Sequence, residues 1–171
     1  ILERLNTHSA EVILKAPFFI KKQAPVTKQL GLMDYHICYR TIADQGNITQ
    51  ILQVKVPVTS LCPCSKQISD YGAHNQRSIL TIEAEYEKDF APEILIHAAE
   101  ESASCGLYSV LKREDEKYVT EFAYNHAKFA EDIVRDAYSK LRQISDIKHF
   151  RVSTENIESI HNHAAYAEII F

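Results

Sequence analysis

Alternation with period two dominates the first half of the chain and marks half-buried strands. Ile48, Gln50, Leu52, Val54, Val56 and Val58 fall on one face, with Thr49, Gln53 and Lys55 on the other. Leu80, Ile82, Ala84 and Tyr86 repeat the pattern against Thr81, Glu83 and Glu85. Tyr35, Ile37 and Tyr39 alternate with His36, Cys38 and Arg40, and Asp44-Gln45-Gly46-Asn47 then reads as a hairpin turn. Phe150, Val152 and Thr154, followed by Ala165 to Phe171, read as a closing pair of strands.

Two stretches between these strands carry a helical period. One runs from Pro92 to about Arg113, with Leu95, Ala98, Ala99, Cys105 and Tyr108 as its packed stripe and Pro at its start, where a missing N–H costs little. The other runs from Lys128 to about Ile144, where Phe129, Ile133, Ala137 and Leu141 recur every four residues. Strands, then two helices, then strands predict an α+β fold: an antiparallel sheet with both helices on one face.

At 171 residues the chain is long enough for a real core, and 46% apolar with 25% charged residues is ordinary globular composition. A net charge of −4 gives no general reason to bind nucleic acid or an acidic membrane, so a polyanionic substrate would need a local basic pocket. No apolar run approaches the ~18 residues of a membrane span. The start, Ile1-Leu2-Glu3-Arg4, lacks the form of a signal peptide and lacks an initiating Met, so the sequence is expected to be a processed or incomplete piece of a longer protein. Four cysteines do not make a disulfide scaffold, and the expectation is a cytoplasmic protein with reduced thiols.

Chemistry-bearing residues concentrate in Pro57-Val-Thr-Ser-Leu-Cys62-Pro-Cys64-Ser-Lys66 and Tyr71-Gly-Ala-His74-Asn-Gln-Arg77-Ser78, the connection between two strands at a sheet end. Cys62 and His74, twelve residues apart, could meet on a zinc-like ion. Equally, Cys62 could be a small buried residue and His74 a surface histidine. Glu155-Asn-Ile-Glu158-Ser-Ile-His161-Asn-His163 offers carboxylates and imidazoles for proton transfer, or is a polar turn with exposed histidines. Lys112-Arg-Glu-Asp-Glu116-Lys-Tyr118 reads by itself as a solvated connection between the helices. Glu131, opposite Phe129 and Ile133 on a helical wheel, faces solvent or a cleft.

The two motif halves between Pro57 and Ser78 closely resemble the defining motif of GTP cyclohydrolase IB enzymes. Leu111 to Glu121, Phe129 to Asp136 and Glu155 to His163 resemble further blocks of that family, in the same order. The resemblance implies the tunnelling fold, in which sheets of several subunits close a barrel, here a homo-oligomer and by expectation a tetramer. It implies GTP as substrate, released as formate and 7,8-dihydroneopterin triphosphate at the first step of tetrahydrofolate synthesis. It places a divalent metal (zinc, manganese or iron) on Cys62, His74 and Glu116, and the guanine edge on Glu158. It also places His161, His163 and Glu131 along the active site. Lys66 and Arg77 flank the Cys/His segment and are the candidates for triphosphate binding. Family members are longer, with two tunnelling units, so residues 1–171 are expected to be the C-terminal portion. Two rival readings remain: a nitrile reductase of queuosine synthesis, with Cys62 or Cys64 as nucleophile and NADPH as reductant, and a structural metal module whose site is closed by four protein ligands.

Overall fold

A computed structural model describes residues 2–87 and 90–171. Ile1, the first residue of the start considered above, lies outside the described residues. In chain order the elements are α1 (Leu2–Leu5), β1 (Ser9–Gln23), β2 (Leu30–Asp44), β3 (Asn47–Leu61), α2 (Pro63–Ile68), β4 (Asn75–Tyr86), α3 (Pro92–Glu100), β5 (Cys105–Gly106), α4 (Arg113–Asn125), α5 (Ala130–Leu141), β6 (Ile147–Ile157) and β7 (Ala164–Ile170). The strands form one antiparallel sheet in the order β1-β2-β3-β4-β6-β7, with the two-residue β5 paired to β3. The expected α+β class with an antiparallel sheet is the observed one.

Tight turns fix the register of the long strands. Asp44 pairs with Asn47, and the two residues between them, Gln45 and Gly46, have φ of 47° and 86°. Positive φ at both central positions suits the twist of the flanking strands, and glycine takes it without a steric cost. From that turn the period-two pattern runs into β2, β3 and β4. Tyr35, Ile37, Leu52, Val54, Val56, Val58, Leu80, Ile82 and Ala84 are buried on one face. Phe150 and Val152 extend that face into β6, and Leu95, Ile96, Ala99, Ile133, Ala137 and Leu141 of α3 and α5 complete the core against it. At the turn end of β3 the pattern fails, since Ile48 is 71% exposed.

Three boundaries differ from expectation. The first helix stops at Glu100 rather than near Arg113. Ser102 folds back, its hydroxyl donating to the Ala98 carbonyl at 2.6 Å, and Ser104 donates its N–H to Thr59. Cys105 and Gly106 then pair with β3, so Cys105 and Tyr108 are not part of a helical stripe. Second, Lys112 to Tyr118 is not a bare connection: it opens α4, which packs Ala123, with Val119 and Phe122 alongside, on Leu61 and Cys105 in a small core of its own. Third, Phe129 lies outside the packed stripe of α5, at its N-cap and 43% exposed.

β1 has no counterpart among the expected strands. Among the described residues it pairs only with β2 and is exposed over much of both faces, so its sequence shows no clean alternation. Pro17 within it is tolerated because an edge strand need not donate on both sides. No helix among the described residues is long and apolar enough to cross a membrane.

Asp115 joins this edge to α4. Its side chain is fully buried and accepts from the N–H groups of Val26, Thr27 and Lys112 at 2.8, 2.9 and 2.9 Å, and from the Thr27 hydroxyl at 2.6 Å. Desolvation pushes its carboxyl pKa up, but the hydrogen bonds from Thr27, Lys112 and Val26 outweigh it and hold the group well below the usual carboxylate range. Because the folded pKa is depressed, the contribution to stability is complete above the ordinary carboxylate value and is lost as pH falls through and below about 4. Asp115→Asn, which turns an NH2 towards donors, should lower the neutral-pH thermal midpoint by roughly 5 °C or more. The gap between variant and parent should close on acidification. A gap that persists unchanged at low pH would show that ionisation of Asp115 is not what matters.

Candidate active site

At the sheet end where β3 leads into α2, Cys62 sits at the N-cap of the helix, with its sulfur 3.5 Å from the Ser65 N–H. Pro63, at the first helical position, gives up no needed donor. The chain then turns back, and two hydrogen bonds stitch its halves together. The Cys62 N–H donates to the His74 carbonyl at 3.1 Å, and the His74 N–H donates to the Ser65 hydroxyl at 3.2 Å. The twelve-residue spacing thus becomes direct adjacency of the two backbones.

Beyond His74, β4 sends alternate side chains to opposite faces. Gln76 points to the helix side and Arg77 to the other. Gln76 Oε1 is 2.9 Å from His74 Nδ1, and Gln76 Nε2 is 3.4 Å from Glu158 Oε1. Glu158, just past the end of β6, brings its second oxygen to 3.7 Å from His74 Nδ1. The side chains of His74 and Glu158 are only 12% and 13% exposed, so this contact is largely shielded from water. The His161 ring stands edge-on at 6.4 Å from that of His74, and His163 stacks on His161 at 5.1 Å. Segments more than 80 residues apart therefore converge on His74.

Other candidates lie elsewhere. Cys64 is exposed on α2. Lys66 donates to the Tyr124 carbonyl at 2.6 Å and lies over the Tyr124 ring, tying α2 to the end of α4. Arg77 lines a cavity of about 700 Å³ on the helix-free face with Lys55, Asp34 and Glu155. Glu131 is exposed in the first turn of α5, where its carbonyl accepts from Arg135. Glu116 is exposed near the start of α4. Eight residues separate it from Tyr124, about 12 Å along the helix axis. Among the described residues no three His, Cys, Asp or Glu side chains gather closely enough to hold an ion. Cys62 and His74 have the donor chemistry for one, and the Gln76 contact at Nδ1 leaves Nε2 available. Glu116 does not join them within a single chain in this conformation.

Gln76 is the site residue missed from the sequence. Buried, polar and two residues from His74, it lay inside the motif, but only the β4–β6 pairing shows that it reaches Glu158.

A family model described as type I GTP cyclohydrolase folE2 matches residues 1–167. The chain belongs to this family. Curated relatives named GTP cyclohydrolase FolE2 agree: the Dichelobacter nodosus protein is 50% identical over 171 residues, covering 99% of this chain and 65% of that protein. The Nitrosococcus oceani protein is 52% identical over 168 residues (97% and 62%), and the Paraburkholderia xenovorans protein 50% over 169 (99% and 63%). The chain thus spans a little under two thirds of the length of these relatives. The match is to the cyclohydrolase rather than to the rival reductase, and it stands at the level of type I in its folE2 form.

The cysteines offer a direct check of this geometry. Cys64 is exposed, Cys62 is intermediate, and Cys105 is 4% exposed with its thiol pKa raised by burial. Limited alkylation of the native chain with iodoacetamide, read by peptide mass spectrometry, should label Cys64 first and spare Cys105. Early labelling of Cys105 would contradict the packing of β5 against α4.

Proposed function

We propose that the protein carrying this chain is a GTP cyclohydrolase of the IB type, converting GTP and water to formate and 7,8-dihydroneopterin triphosphate in tetrahydrofolate biosynthesis. The observation that carries this reading is the convergence of Cys62, His74, Gln76, Glu158 and His161 at one sheet end, in a chain of the folE2 family. Each group suits a part of the reaction. Glu158 has a carboxylate able to accept two N–H bonds from the guanine edge, a charge-assisted contact that selects this base. His161 and His163 are exposed beside His74, where imidazoles can pass protons to and from the purine as its five-membered ring opens and the pterin ring closes.

Cys62, His74 and Glu116 would hold the divalent ion, for which zinc, manganese and iron all suit this donor set. Such an ion supplies Lewis acidity and a more acidic water. With this site goes a homo-oligomer, a tetramer in the tunnelling-fold arrangement, with sites at subunit boundaries. Within such an assembly Arg77, Lys66 and Glu131 would act on substrate, Lys66 from one helical turn beyond Cys62, to whose carbonyl its N–H donates at 3.2 Å.

Metal content and formate release from GTP test the assignment. Cys62→Ala should lose bound metal and reduce turnover by roughly 100-fold or more. Glu158→Gln should keep the metal and raise the KM for GTP by about 10- to 100-fold. Near-normal turnover in Cys62→Ala would remove the thiolate from the mechanism, and loss of metal in Glu158→Gln would reassign Glu158 from base recognition to ion binding.

A further inference from the structure

Hydrogen-bond polarity beneath the site can be followed from one fixed point. The Lys128 carbonyl can only accept, and the Ser60 hydroxyl, 3.4 Å away, donates to it. Having spent its one hydrogen, Ser60 Oγ accepts from Asn156 Nδ2 at 3.1 Å and from Gln76 Nε2 at 3.3 Å. Asn156 Oδ1, on the other side of that amide, accepts from Thr154 Oγ1 at 3.1 Å. Glu158 Oε1, 3.4 Å from Gln76 Nε2, likewise calls for a donor. Both neighbours therefore require the nitrogen of the Gln76 amide, and its oxygen is turned to His74. That oxygen has no hydrogen to give, so the 2.9 Å contact puts the proton on His74 Nδ1 and the lone pair on Nε2.

We propose that Gln76 is a positioning residue of the site: it sets the His74 tautomer and steadies Glu158, under control of a relay from the Lys128 carbonyl through Ser60. Gln76 is 7% exposed, and a buried amide needs partners wherever it lies. Here, however, two of its three contacts go to the groups assigned to ion binding and base recognition, and the third fixes which way round it sits. The relay begins at the residue that leads into α5, so packing of that helix reaches the imidazole through three polar groups, the Lys128 carbonyl, the Ser60 hydroxyl and the Gln76 amide. The role rests on the cyclohydrolase reading of His74 and Glu158.

Nitrogen-15 NMR of the labelled chain, without metal or GTP, reads the tautomer directly about two pH units above an ordinary imidazole pKa. The His74 signal is assigned by its loss in His74→Ala. The parent should hold the Nδ1–H form in roughly five- to ten-fold excess, the ratio that one net hydrogen bond supports. Gln76→Met should abolish that excess, and Ser60→Ala, which frees the amide to turn, should reduce it. Gln76→Glu keeps an acceptor towards Nδ1 and should keep the parent tautomer. An unchanged His74 spectrum in both Gln76→Met and Ser60→Ala would overturn the proposal, since Glu158 alone would then hold the proton. Formate release from GTP is measured alongside. Inactivity of the whole metal-loaded protein, with the expected tautomer pattern in the chain, would sink the cyclohydrolase reading and leave the Gln76 relay standing.

Discussion

Val58, Ser78 and Asn156 lie side by side across β3, β4 and β6, facing the helices, and the neighbouring rows follow from that alignment. One step towards the core, Val56, Leu80 and Thr154 line up; one step towards the sheet end, Ser60 meets Gln76, with Glu158 beyond β6. A single face thus passes from mainly apolar to fully polar over three rows. A slip of one residue in any pairing would send its side chains to the opposite face. The core and the candidate site are therefore specified by the same register: Leu52, Val54 and Val56 enforce the alignment that brings His74 to Glu158.

Sequence patterning exposed the parts of this arrangement in which burial is one-sided. β3, β4 and α5 carry clean periods because one face of each meets a core and the other meets water. β1 was illegible for the opposite reason, as an edge strand with apolar side chains on two partly open faces. The false extension of α3 came from Cys105 and Tyr108, whose spacing continues the stripe although the backbone has left the helix at Glu100 and Cys105 pairs with β3. α4 was hidden because its best-buried residue near the start is Asp115, a charge at the position where a hydrophobic signal is sought.

The candidate site divides in the same way. Motif blocks identified Cys62, His74, Glu158 and His161, and the fold brings these together. They could not show that Lys66 is occupied by Tyr124, or that Arg77 faces away from His74, because both depend on which strand or helix lies opposite. Gln76 is the converse case. It carries no chemistry of its own, and its importance comes from contacts made across 16 and 82 positions of the chain.

The clamp at Asp115 bears on the order in which the molecule is built. Its partners Val26 and Thr27 are 89 and 88 positions away, so none of these bonds can form until the ends of a long loop have met. The hairpin of β2 and β3, closed by Gln45 and Gly46, has no such requirement and can assemble from local contacts. The first turn of α4, which carries Glu116, therefore has a local support in the bond from Lys112 and a second support, from Val26 and Thr27, that needs the long loop closed. The position of a carboxylate in that turn is thereby tied to the connection of the outermost strand pair.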